Sequence, residues 1–243
     1  MSSNTGRGQV RRGGRVANRS LNPVDVRWLR RRLMRWHSVS ARMFPWRETQ
    51  DPYRILIAEV MLQATFAAKV VPVYEEFVAR YPTPHDLAHA PVDEIEDVIR
   101  PLGLLGRARV LSKIGEVLVT HFGGTVPCDD ESLRSLPRVG DYTAGAVRTF
   151  GFGLRAGIPD TNVIRLLHRF FGLHSPRKSH RGSPPKALRT AAYDVLPETG
   201  SRDLNYAMLD FGALVCKSIR PKCHECPLSE RCHAYSAGDV TPA

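Results

Sequence analysis
The sequence predicts an all-α fold, and three observations carry that prediction. From Pro23 onward apolar residues recur at the spacing of a helix face, while the few Val and Ile runs are short and lack the alternation of a half-buried strand. Pro45, Pro52, Pro82, Pro91, Gly103, Gly123, Gly124, Pro137, Gly157 and Pro159 all fall between periodic segments. At 243 residues and 42% hydrophobic composition, the chain can furnish the core of one large domain or two small ones.

Taken in order, the first helix is expected over Val24–Ser38, and Pro45 and Pro52 punctuate the stretch after it. Pro52–Thr65 comes next, with an apolar run from Ile55 to Leu62 broken only by Glu59. Phe66–Ala79 follows directly, and Pro82 and Pro91 separate it from Val92–Ile99. Gly103 precedes Arg107–Phe122, and Gly123-Gly124 closes it. A helix-like segment, Asp129–Ser135, leads through Pro137 into Tyr142–Phe152, where Thr143 and Ala144 are small enough for close helix packing. After Gly157 and Pro159, Asp160 stands where an N-cap would stand, ahead of Thr161–Phe171 with its periodic Val163, Leu166 and Leu167. Pro185–Leu196 and Asp203–Lys217 complete the set.

The charge balance is 35 Lys and Arg against 24 Asp and Glu, a formal net charge of +11, which favours an anionic partner such as nucleic acid. Part of it is local. Residues 1–22 form a basic arm, with Arg7, Arg11, Arg12, Arg15 and Arg19 among Gly, Ser and Asn, and such a composition predicts disorder. The arm lacks the apolar segment of a secretory signal, and no run of about eighteen apolar residues occurs. A cytoplasmic, monomeric protein with no membrane partner is expected, nucleoid-associated if bacterial. The arm could be an Arg-rich transit peptide, a nonspecific DNA-binding extension or a solvated tail.

Four cysteines crowd the C-terminal region at Cys216, Cys223, Cys226 and Cys232, spaced C-x6-C-x2-C-x5-C. Four thiolates within seventeen residues, on a loop stiffened by Pro221 and Pro227, can enclose zinc or an iron-sulfur cluster. The spacing alone leaves both open. A disulfide framework is the weaker alternative, since the chain has no mark of secretion.

The stretch Leu136-Pro137-Arg138-Val139-Gly140 joins one helical segment to the next as a helix-hairpin-helix. Gly140 is expected to turn the backbone and aim N–H groups, with the following helix N-terminus, at one phosphate, with Arg138 and Val139 beside it. With this hairpin and the four-cysteine spacing, the chain resembles the helix-hairpin-helix, Gly-Pro-Asp superfamily of DNA base-excision glycosylases, from Phe44 to Cys232. The resemblance implies a two-lobed fold: a six-helix barrel domain over 51–157, an iron-sulfur cluster domain from 23–50 and 158–235, and a tail over 236–243. It also implies a [4Fe-4S] cluster on the four cysteines and mismatched or damaged double-stranded DNA as partner. In the family the hairpin reads L-P-G-V-G. Arg138 replaces the first of those glycines, which would cost on the order of 1 kcal/mol if the position is left-handed.

The family's essential Asp follows the hairpin by about twenty residues, and here it is Asp160 in Ile158-Pro159-Asp160-Thr161. Its implied role is to stabilise or trap the sugar cation left as the glycosidic bond breaks. Glu59, in Ala58-Glu59-Val60-Met61-Leu62-Gln63, is either solvent-directed at a helix edge or buried, and burial would hold a proton ready for donation. The segment is similar to the S-E-V-M-L-Q-Q-T of MutY adenine glycosylases and the E-I-L-L of thermophilic T/G mismatch glycosylases, in which this Glu is catalytic. Tyr142 stands where bifunctional endonuclease III-like relatives place a Schiff-base Lys. A phenol forms no imine, so a monofunctional enzyme without strong strand-cleaving activity is implied.

Extruding a base leaves a hole that a wedge must fill. In Gly103-Leu104-Leu105-Gly106-Arg107 the aromatic wedge of MutY is absent, and Leu105 is the candidate, with Arg107 beside it. Ala64 replaces the second Gln of the MutY pair, leaving Gln63 to probe the opposite strand. Phe44-Pro45-Trp46-Arg47 resembles the L-P-W-R of the MutY base pocket, so Trp46 and Arg47 are pocket candidates, with Tyr206 where MutY has Glu or Gln. Lys217, Arg220 and Lys222 are expected to meet the DNA backbone. Tyr206, the Arg202–Phe211 and Arg169–Gly172 segments, and the short stretch after Cys232, too short for the 8-oxoguanine-reading domain of MutY, favour thymine or uracil opposite guanine. Adenine opposite guanine or 8-oxoguanine is the alternative, and a noncatalytic lesion-binding protein the rival from another class.

Overall fold
The structure, a computed structural model, describes residues 21–103, 106–173 and 184–240. Most of the basic arm and the wedge candidate Leu105 lie outside these. All regular secondary structure among the described residues is helical, with no strand. Helix α1 (Pro23–Ser40) starts on a Pro with the Asn22 side chain accepting from Val24 N at 2.9 Å, a cap that meets one of the free N–H groups of the first turn. After a 3₁₀ turn at Pro45–Arg47, α2 (Pro52–Leu62) is capped by Asp51, which accepts from Tyr53 N at 2.8 Å. Every residue of α2 from Ile55 to Met61 is buried, so this helix runs through the core without a polar face.

Helix α3 (Ala67–Arg80) carries Pro72 inside it, and α4 (Pro84–His89) follows. Helix α4 is absent from the expected set. Its six residues are too few for periodicity to register, yet Thr83 and Asp86 form a capping box around it. Next come α5 (Val92–Ile99), a 3₁₀ turn at Arg100–Leu102, α6 (Gly106–Phe122) and α7 (Asp130–Ser135). The expected helix Tyr142–Phe152 divides in two: α8 (Asp141–Ala146) and a π-helical turn over Val147–Gly151.

Helix α9 (Thr161–Phe171) has Asp160 as its N-cap and ends at Gly172 in the left-handed region (φ +64°). Helices α10 (Lys186–Asp194) and α11 (Ser201–Leu214), two 3₁₀ turns at Cys223–Glu225 and Ser229–Arg231, and the short α12 (His233–Ser236) complete the chain.

Two apolar cores give the molecule two lobes. One gathers the buried faces of α2 to α8 with Trp46 and Tyr206. The other joins Leu29 and Leu33 of α1 to α9, α10, α11 and Leu228, and Cys216, Cys226 and Cys232 pack on it. The lobes meet where α8 passes Gly157. A Cβ at Gly145 would stand 2.6 Å from the Gly157 carbonyl oxygen, so only glycine lets these segments approach closely enough. That contact sets Tyr142, one turn before Gly145, near Asp160, three residues after Gly157.

Candidate functional site
An open cleft of about 530 Å³ lies between the lobes, and Glu59, Tyr142 and Asp160 all line it. Glu59 is 4% exposed, and its Oε2 has no hydrogen-bond partner. Burial, reinforced by the Asp160 charge, pushes this carboxyl up to about 7, while the Tyr142 hydroxyl and the Arg47 guanidinium pull the other way. Burial and the charges of Glu59 and Asp160 hold the Tyr142 phenol well above its ordinary range, so it stays a neutral O–H donor. Asp160 caps α9 by accepting from Asn162 N at 2.6 Å, and it also faces the cleft. Capping and cleft-lining are therefore properties of one carboxylate.

The floor of the cleft is an aromatic and cationic stack. Tyr206 lies flat on Phe150, with ring centroids 3.9 Å apart and planes within 1°. The Arg47 guanidinium sits 4.3 Å from the Tyr206 centroid. Both ring faces are thus taken, and it is the edge of Tyr206 that is left to the cleft. Arg47 donates Nη1 to Asp210 Oδ2 at 2.8 Å, Nη2 to Asp210 Oδ1 at 2.8 Å, and Nη1 also to Arg42 O. Its guanidinium is committed to holding the floor and, with Trp46 and Tyr206, lines the cleft. Trp46 is buried, stacked on Phe44 at 5.0 Å and edge-on to Tyr74, and reaches the cleft as part of its wall.

Asp210 was not singled out from the sequence. It is fully buried and also receives Arg42 N at 3.0 Å, Arg42 Nε at 2.6 Å and a His37 contact at 3.3 Å. Burial pushes its carboxyl up, but the bonds from His37, Arg47 and Arg42 outweigh it and hold the group far below the usual carboxylate range. The signal was present: a lone acid in Met208-Leu209-Asp210-Phe211, the same pattern that drew attention to Glu59.

A family pattern described as the HhH-GPD superfamily base excision DNA repair protein matches residues 57–183. The chain belongs to the HhH-GPD superfamily. This HhH-GPD protein is 41% identical over 219 residues to a thymine-DNA glycosylase of Aeropyrum pernix, covering 89% of this chain and 98% of that one. It is 38% identical to a thymine/uracil-DNA glycosylase of Pyrobaculum aerophilum, over 85% of this chain and 90% of the other. An adenine DNA glycosylase of Buchnera aphidicola is 33% identical over 84% of this chain and 57% of its own length. Among solved structures, that of a thermostable thymine-DNA glycosylase superposes with a TM-score of 0.82 at 33% identity, covering 88% of this chain and 98% of that one.

In this HhH-GPD chain the hairpin departs from expectation at Gly140 and Val139. The left-handed residue is Arg138 itself (φ +58°), so the turn keeps its shape and the arginine bears the strain. Gly140 is extended (φ −104°, ψ −172°), and a Cβ there would meet nothing within 4 Å. Val139 is buried, and its N–H donates to Leu136 O at 3.2 Å, so it offers DNA neither side chain nor amide. Arg138 is exposed, and its carbonyl accepts from Gln63 Nε2 at 3.3 Å, which ties the end of α2 to the hairpin.

Arg107 is a further correction. It is 6% exposed and donates inward to Met61 O at 2.8 Å, to Gln63 O and to Thr65 Oγ1, so it contacts protein where DNA was expected. Lys217, Arg220 and Lys222 are exposed; Lys217 lines the cleft, and Lys222 pairs with Glu225 at 3.6 Å. Arg165 and Arg169 fasten this loop to α9: Arg165 donates to Cys216 O at 2.8 Å and Arg169 to Lys217 O at 2.7 Å. The loop cations and Asp160 are thereby fixed to the same helix.

All five cysteines are free, and Cys216, Cys223, Cys226 and Cys232 line one small apolar cavity. Among the described residues no three or more of His, Cys, Asp and Glu converge as they would on one metal ion. Burial pushes the Cys226 thiol up to about 12 and raises Cys223 and Cys232, so these three favour the thiol form unless a cationic group is bound. Arg169 Nη1 lies 3.5 Å from Cys216 Sγ. Among the described residues no helix is long and apolar enough to cross a membrane.

Proposed function
We propose that this chain is a monofunctional DNA glycosylase that hydrolyses the N-glycosidic bond of thymine or uracil opposite guanine. One observation carries the reading: a buried carboxyl held near neutrality, Glu59, shares a cleft with the Asp160 carboxylate and a neutral tyrosine in a member of this repair family. Glu59 holds a proton for the departing base as negative charge develops on it. Asp160, fixed by its cap bond to Asn162 N, faces the sugar and stabilises its growing positive charge while water attacks. Tyr142 keeps its proton beside Glu59 and, lacking an amine, leaves an abasic site with no imine step.

The substrate follows from the relatives, since those named thymine or thymine/uracil glycosylases are 41% and 38% identical over most of both chains. The adenine reading is supported by the 33% identity to an adenine DNA glycosylase. The four cysteines are proposed to hold a [4Fe-4S] cluster, which when bound supplies a rigid anchor for the Lys217–Lys222 loop. The lobe boundaries proposed are 51–157 for one and 23–50 with 158–235 for the other; two cores support two lobes, with Trp46, Ile158 and Tyr206 crossing into the core of the first.

The test is purified protein on duplexes carrying G·T, G·U, G·A and 8-oxoG·A, with products resolved before and after alkali. Alkali-labile sites on G·T and G·U are expected. Release confined to the adenine duplexes would replace the pyrimidine reading, no release from any duplex would refute the glycosylase assignment, and efficient breakage without alkali would refute monofunctionality.

A further inference from the structure
Phe66 is 88% exposed, the highest value among the exposed large apolar side chains of the described residues, and it stands on the rim of the catalytic cleft. A single exposed phenylalanine needs no cause by itself, and what singles out Phe66 is its place on the cleft rim beside a strained turn. The turn beneath it is built for display. Ala64 takes a left-handed conformation (φ +55°), which disfavours any residue with a Cβ. Arg107, buried under the turn, satisfies the last carbonyls of α2 at Met61 and Gln63 and holds Thr65 Oγ1 at 2.8 Å. A strained turn fixed by a buried guanidinium points to a rigid pedestal. Gln63, on the same turn, is tied to the hairpin carbonyl at Arg138, so the pedestal moves with the element expected to hold phosphate.

We propose that Phe66 inserts into the base stack of the duplex where the target nucleotide leaves it, and that Arg107 is the positioning residue that aims it. The inference rests on the glycosylase reading for its partner, duplex DNA. The chemistry fits: an aromatic face replaces the stacking lost on extrusion, without reading sequence. It also accounts for an arginine turned away from DNA inside a strongly basic protein.

Two measurements on the full chain test it. In Phe66→Trp, the added indole emission, taken as the difference from the parent protein, should be quenched on binding a duplex with a tetrahydrofuran abasic analogue and become shielded from iodide. In Phe66→Ala, whose change lies in solvent and should leave the thermal melt unaltered, single-turnover excision from a G·U duplex should fall about tenfold, the scale of one lost base–aromatic stack. An indole that stays accessible to iodide in the saturated complex overturns the proposal, as does an excision rate within about twofold of the parent. Quenching by the abasic duplex from a protein that excises no base would leave the insertion standing and refute only the substrate reading.

Discussion
Glu59 is a carboxyl that water would leave ionised at neutral pH and that the core keeps protonated up to about 7. As a general acid it works in its protonated form, so single-turnover excision is expected to slow as pH rises through about 7, and Glu59→Gln should be slow and lack that limb. The same shift bears on stability. Its ordinary value is 4.5, so the unfolded chain ionises first and stability declines between there and about 7. At Asp160, Asn is as good an N-cap as Asp, so Asp160→Asn should keep the start of α9 and much of the DNA affinity while abolishing excision. A parallel loss of affinity and melting temperature would mark a structural role instead. As a cap Asp160 was legible because a cap leaves a pattern in sequence, while its place in the chemistry came from the resemblance. Arg107 and Phe66 were not, because residue type alone puts an arginine outside and a phenylalanine inside, and the strained turn at Ala64 reverses both.

At the scale of elements, the hairpin trades backbone ease for charge. Arg138→Gly would relieve strain on the order of 1 kcal/mol while enlarging the freedom of the unfolded chain by a similar amount. The melting temperature should therefore barely move. The variant should lose one phosphate contact, lowering the slope of log affinity against log salt by about one; an unchanged slope would show that Arg138 does not reach DNA. Most helices were legible from apolar period and breakers, as with α5 and α9, whose limits match the expectation. The π-helical turn after α8 was not, since a shift in hydrogen-bond register leaves no mark in the spacing of apolar residues. Helix α4 shows the reverse, a short element announced by its cap and missed by its period.

Across the whole molecule, Asp210 joins the end of α1, the Arg42–Arg47 segment and α11 through one buried carboxylate. Asp210→Asn would leave Arg47 and Arg42 without their counter-charge and should cost about 3 kcal/mol, read as a lower melting temperature. Because its folded value is depressed, this contribution is present above its ordinary value of 3.8 and is lost as pH falls below that, so the parent should lose more stability in acid than the variant.

The packing of α1 has a consequence for the order of assembly. Arg30 Nε donates to Val195 O at 2.8 Å, Trp28 stacks on Phe170 at 6.0 Å, and Trp36 meets Phe211 edge-on at 4.9 Å. Helix α1 therefore packs against residues of the last third of the chain, and the other lobe likewise draws Tyr206 of α11 into its core. During synthesis Leu29 and Leu33 must wait, uncovered, for α9 and α11 to emerge. Translation that halts before α11 would thus release a chain with neither core complete and α1 uncovered, a species that quality control can recognise.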